Sequence, residues 1–154
     1  MSKRRIEDVV NEALKDDAQR NALDFVAHLK TIGVTLDDSD NYFWNAVYKG
    51  KGMCVINVDT EHTSFDIFVN DFPVAWENGP VDERTKEIVW ANVRPHDPTC
   101  HGKCSPGSRK VIFGKTFDNL CRSFLGIYTP DAKTTACTIK LMDGLKNDID
   151  NATT

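Results

Sequence analysis

No apolar run in the chain approaches the roughly 20 residues needed to span a bilayer, so a membrane helix is not expected. The first residues, Met1-Ser-Lys-Arg-Arg5, are basic, but no apolar stretch follows them. That reads against a secretory signal peptide and for a cytoplasmic location. The five cysteines are an odd number without an export signal, which argues for reduced thiols rather than a disulfide framework. The sequence lacks a Gly-x-Ser-x-Gly elbow, a His-Glu-x-x-His pair and a dinucleotide fingerprint. It also lacks a P-loop, because Gly102-Lys103 is followed by Cys104 rather than Ser or Thr. Positive charge is scarce overall: the net charge is −4, so nucleic acid is not an expected partner.

What is present suits one folded unit. The 154 residues are 40% hydrophobic and 27% charged, ordinary for a folded domain. Residues 3–32 read as two helices. Ile6, Val9, Val10, Ala13 and Leu14 form one stripe at helical spacing. Ala18, Ala22, Phe25, Val26 and Leu29 form a second after a break at Asp16-Asp17, and Gly33 closes it. The acidic stretch 34–41 reads as a loop. Segments 43–48 and 53–60 are aromatic and β-branched, and Lys49-Gly-Lys-Gly52 between them predicts a hairpin. Residues 64–70 alternate as a third strand, with Phe65, Ile67 and Val69 on one face and Ser64 and Asp66 on the other.

Residues 71–80 read as a loop. Residues 81–93 predict a helix with Asp82 and Glu83 in its first turn, where the helix dipole favours acids. Segment 94–108 is too rich in proline and glycine for regular structure, 110–115 predicts a short strand, and 117–125 a helical turn. Thr129-Pro130-Asp131 then starts a last helix, with threonine as cap and proline at its first position. The expected fold is a single α+β domain over 1–154: N-terminal helices, an antiparallel sheet of about four or five strands, and a C-terminal helix on one face.

Chemistry concentrates between 94 and 122. That segment carries six Lys/Arg against two Asp/Glu, whereas residues 1–71 carry eight against thirteen. Within it, His96, Cys100, His101 and Cys104 lie inside nine positions. Thiolate and imidazole are the usual zinc ligands, and Cys-x3-Cys is within zinc-site spacing. Cys121 is near enough in sequence to complete such a site. Two other readings stay open: a nucleophilic or redox thiol at Cys100 or Cys104 acting on an anionic substrate, and a solvated polar loop. Gly102, Gly107, Ser108, Arg109 and Lys110 offer backbone donors and charge for an anion, though a solvated basic loop is the favoured reading over a phosphate site.

A second constellation is aromatic: Trp44, Tyr48, Phe68, Trp76 and Trp90. On the hairpin, Trp44, Ala46 and Tyr48 share one face, and Phe43, Asn45 and Val47 the other. One face should meet the helices, and the other can floor a ligand pocket. Ordinary core aromatics are the competing reading. Cys54 and Cys137 fall on apolar stripes and read as buried thiols, and His28 and His62 receive no role. Asp37, Asp38 and Asp40 depart from the EF-hand pattern and read as a solvated turn.

Trp90–Val93, Cys104-Ser-Pro-Gly107, Ile112–Asn119 and Cys121 together resemble the signature of a family of conserved hypothetical bacterial proteins. The likeness covers about a fifth of the chain. It implies no activity, only that Cys100, Cys104 and Cys121 act together. The order of elements around Tyr48-Lys-Gly-Lys is also similar to small YdhG-type or effector-binding α+β domains, which implies an apolar ligand pocket.

The expected function is therefore a non-catalytic binding module. Its cofactor is a zinc ion held by His96, Cys100, His101, Cys104 and Cys121. Its partner is a small molecule on the aromatic sheet face, lined by Trp44, Tyr48, Trp76, Trp90, Arg109 and Lys110. A thiol-dependent enzyme and a protein-interaction domain are the alternatives.

Overall fold

The structure is a computed structural model and describes residues 4–40, 42–69, 81–96 and 107–152. The two N-terminal stripes form α1 (Ile6–Ala13) and α2 (Asp16–Thr31). The expected break between them falls at Asp16, whose φ of 55° departs from helix. Gly33, at φ 92°, ends α2: its N–H donates to Lys30 O and that of Val34 to Leu29 O.

The acidic stretch after α2 is not a loop. It forms β1 (Thr35–Asp40), paired antiparallel with β2 (Phe43–Tyr48). An edge strand needs no alternating apolar pattern, and Asp37 and Asp38 on it discourage a further strand from pairing there. The predicted hairpin is present: β2 turns through Lys49 (φ 49°) and Gly50 (φ 79°) into β3 (Lys51–Asp59). Two successive positive φ values suit the right-handed twist of the flanking strands. The third predicted strand is β4 (Ser64–Val69).

The predicted middle helix is α3 (Glu83–Ala91). Asp82 is its N-cap, accepting the Thr85 N–H at 2.7 Å. The ends of the proline-rich segment are regular after all, as β5 (Val93–Pro95) and β6 (Ser108–Ile112). Phe113 (φ 49°) and Gly114 (φ 85°) turn β6 into β7 (Lys115–Tyr128). The helical turn expected over 117–125 is therefore strand. Phe117, Leu120, Cys121, Phe124 and Leu125 mimic helical spacing because β7 bulges at Asn119 (φ 57°) and is buried on both faces from 124 to 127. The last helix, α4 (Ala132–Ala152), is capped by Asp131, whose carboxylate accepts the Thr134 N–H, not by Thr129. Thr129 (φ 37°) instead ties the end of β7 to β4: its N–H donates to Phe65 O, and its Oγ1 accepts the Phe65 N–H.

The strands form one antiparallel sheet in the order β1-β2-β3-β4-β7-β5, with β6 also on β7. The fold is α+β as expected, but the described residues contribute seven strands rather than four or five. One sheet face carries Trp44, Ala46, Ile56, Val58, Phe65, Ile67, Val69, Leu125 and Ile127, all buried. The helices cover that face: Phe25 of α2 meets Phe65 edge-on, ring centroids 6.3 Å apart. Each such ring or branched side chain contributes about 1.5–3 kcal/mol when fully buried. Among the described residues, no helix is long and apolar enough to cross a membrane.

Candidate functional site

Alternation assigns the opposite sheet face. Phe65, Ile67, Leu125 and Ile127 point to the helices, so Asp66, Phe68, Phe124, Gly126 and Tyr128 point away. Asp66 pairs with Tyr128 across β4 and β7, and Phe68 with Gly126. On the other side of β4, Asn57 pairs with Asp66 and Val55 with Phe68.

Cations lie over the rings of this face. The Arg94 guanidinium of β5 sits 4.9 Å from the centroid of Phe68. Tyr128 meets the same ring edge-on at 5.8 Å and leaves 55% of its own surface exposed. Lys110 of β6 places its ammonium 5.1 Å from the Phe124 ring. Such contacts fix a charge over a ring, each at a modest gain of about 0.5–1 kcal/mol near a surface. Gly126 makes the first cluster possible. A Cβ there would lie 2.6 Å from Arg94 Cδ and 2.9 Å from Tyr128 Oη, closer than carbon tolerates.

Asp66 is the only acidic or basic residue among the described ones that is buried, at 8% exposure. The Ser64 hydroxyl reaches its Oδ2 at 3.3 Å. Its buried Oδ1 has no hydrogen-bond partner. Burial pushes the Asp66 carboxyl above its ordinary value, outweighing the lowering by Ser64, Thr129 and Asn57.

The aromatic residues predicted to line a pocket lie elsewhere. Trp44 is 1% exposed and belongs to the core, and Tyr48 shares its face, with the hydroxyl spent on Asp150. Both calls for a ligand surface thus meet the helices, because the face expected to be free is the other one. Trp90 donates its Nε1–H to Ile112 O at 2.7 Å and carries the Lys115 ammonium 5.5 Å over its ring. Arg109 pairs with Asp118 at the surface, 3.3 Å apart. Among the five described residues of the predicted ligand set, Lys110 is the one that lies over a ring of the face turned from the helices. Trp76 lies outside the described residues.

So do Cys100, His101 and Cys104. Their described neighbours in sequence, His96 and Gly107, meet on β7. The His96 N–H donates to Asn119 O at 2.6 Å, and Leu120 is the register partner of both Pro95 and Ser108. A Cβ on Gly107 would lie 2.8 Å from His96 Cβ and 2.3 Å from Asn119 Oδ1. His96 and Gly107, the described residues on either side of 97–106, therefore lie together beside Asn119. Cys121 is two positions beyond Asn119 on β7, half-buried and outside any disulfide. Among the described residues, no group of three or more His, Cys, Asp or Glu side chains is placed to hold a metal.

Arg94, Asp66, Phe124 and Tyr128 were missed as site residues. The strand alternation of 64–70 was the usable signal, because it sets Asp66 and Phe68 on one side. The misread strand β7 hid the rest. No family model, curated protein or solved structure matches the chain.

Proposed function

We propose that the protein is a non-catalytic binding module that takes a small planar anion on the sheet face turned from the helices. The observation that carries this reading is Arg94 held over Phe68 beside exposed Tyr128. A guanidinium offers a planar fork for a carboxylate or phosphate. Tyr128 offers a ring edge and face for stacking, and Lys110 adds a second positive charge on the same side. The loop whose neck is His96, Gly107 and Asn119 carries a zinc ion through Cys100, Cys104 and a histidine, with Cys121 nearby. Support for the metal is the ligand spacing together with the approach of His96 to Gly107, which bound the stretch that carries the ligands.

Two measurements test this. Titration of the protein with benzoate, 4-methylbenzoate and phenyl phosphate, followed by tyrosine and tryptophan fluorescence, should give saturable binding that Arg94→Gln weakens about tenfold. No saturation, or an unaffected variant, rejects the face as the site. Metal analysis of the purified chain should find about one zinc per chain, lost in Cys104→Ser. Absent metal with one rapidly alkylated thiol at neutral pH favours the thiol-dependent enzyme instead.

A further inference from the structure

A groove of about 480 Å³ lies between the first turns of α3 and α4. Ala132, Ala136 and Cys137 line it with small side chains, which leaves the space between the two helices open. Three cations, Arg84, Lys133 and Lys140, and one acid, Asp82, complete the lining. Asp82 is already occupied. Its Oδ1 accepts the Thr85 N–H, and its Oδ2 the Lys140 ammonium at 3.0 Å. Arg84 and Lys133 are exposed, and among the described residues neither side chain enters an ion pair or a hydrogen bond. The Asp131 carboxylate near Lys133 lines a different groove and caps α4 by accepting the Thr134 N–H. The space between the helices thus carries two uncompensated positive charges in a chain whose net charge is −4.

A second groove, of about 230 Å³, shares Asp82 and Lys140 with the first. It adds the acid Asp143 and no further cation. The Asp82–Lys140 pair therefore divides a positive half from an acidic half, and an anion is drawn to the positive one.

We propose that the positive half is a binding site for a small phosphomonoester, separate from the sheet face that carries Arg94. The phosphate lies between Arg84 and Lys133, and its organic substituent lies over Ala132 and Ala136. Charge decides the class. A phosphomonoester carries close to two negative charges at neutral pH and matches the two unpaired cations. A monoanion leaves one of them uncompensated. The Arg84 guanidinium supplies a planar fork of donors for phosphate oxygens, and Lys133 a mobile point charge.

The test follows ¹H–¹⁵N spectra of the full-length protein at neutral pH, titrated with phenyl phosphate and, separately, with benzenesulfonate. The two share a ring and differ in charge. The amide signals of Arg84, Lys133 and Ala136 should move saturably, with phenyl phosphate binding about tenfold tighter than benzenesulfonate. That preference should fall to near unity in the double variant Arg84→Gln/Lys133→Gln, whose sites are exposed. It should persist in Arg84→Lys/Lys133→Arg, which keeps both charges, and in Arg94→Gln. Shifts confined to β4, β5 and β7 overturn the inference and leave the sheet-face site standing. An absence of shifts anywhere at millimolar phenyl phosphate overturns both. Equal affinity for the two probes overturns the assignment to a dianion. A preference that survives in the Gln double variant overturns the role of Arg84 and Lys133.

Discussion

The Tyr48 hydroxyl donates to Asp150 Oδ1 at 2.7 Å, joining the end of β2 to the end of α4 across 102 positions of sequence. Lys49 and Lys146 reach the same carboxylate, and both ammonium groups also lie within 5.4 Å of the Tyr48 ring. The three partners, led by Lys146, hold the Asp150 carboxyl far below the usual carboxylate range. A carboxyl depressed by folding contributes fully above its unfolded value and loses that contribution as pH falls below it. Melting temperature should therefore drop as pH is lowered from 6 through the acid range, and Asp150→Asn should flatten that slope. Thermal scans across pH check both. An unchanged slope in the variant means that other carboxylates carry the acid sensitivity.

Tyr48→Phe keeps the buried ring and removes one hydrogen bond. It should cost about 1 kcal/mol, seen as a fall of about 2–4 °C in melting temperature for a chain of this size. Phe65→Ala is the contrasting case. It empties a site packed against Phe25 in the centre of the core and should cost about 3–5 kcal/mol, measured by urea denaturation.

Gly126→Ala addresses the anion site directly. The added methyl meets Arg94 Cδ and Tyr128 Oη, both on movable side chains, so the face is disturbed more than the core. Stability should fall by about 1–3 kcal/mol, and binding of 4-methylbenzoate should weaken by more than Arg94→Gln alone weakens it. Equal binding in wild type and Gly126→Ala would show that the Arg94–Tyr128 arrangement is not the receptor.

Gly107→Ala tests the neck of the cysteine loop. Its Cβ would press on His96 and on the Asn119 backbone, forcing the two ends of the loop apart. Zinc content of the purified variant should drop while the helical circular dichroism signal stays near that of wild type. Full metal content in the variant would mean that the neck does not shape the metal site.

The elements that were legible in the sequence are those with one buried face. The α1 and α2 stripes and the β2–β3 hairpin each alternate between core and solvent at the period of their own structure. β1 escaped notice because an edge strand with acidic side chains has almost no apolar pattern to read. β7 escaped because its central residues are buried on both sides and the Asn119 bulge shifts their phase. The candidate site inherited that error. Lys110 was legible as charge, and Asp66 and Phe68 were legible as a shared face. Arg94 and Tyr128 could join them only once β7 was known to lie between β4 and β5. Trp44 misled for a simpler reason: a large ring on a hairpin is most stable against the helices, where Trp44 lies.

Cys54 sits under the helices on β3, and burial pushes its thiol up to about 12. A sulfur kept protonated and covered is inert to alkylating reagents while the fold is closed. Its labelling rate therefore counts the moments when the β2–β3 hairpin parts from α1 and α4, which makes this side chain an internal clock for opening of the core.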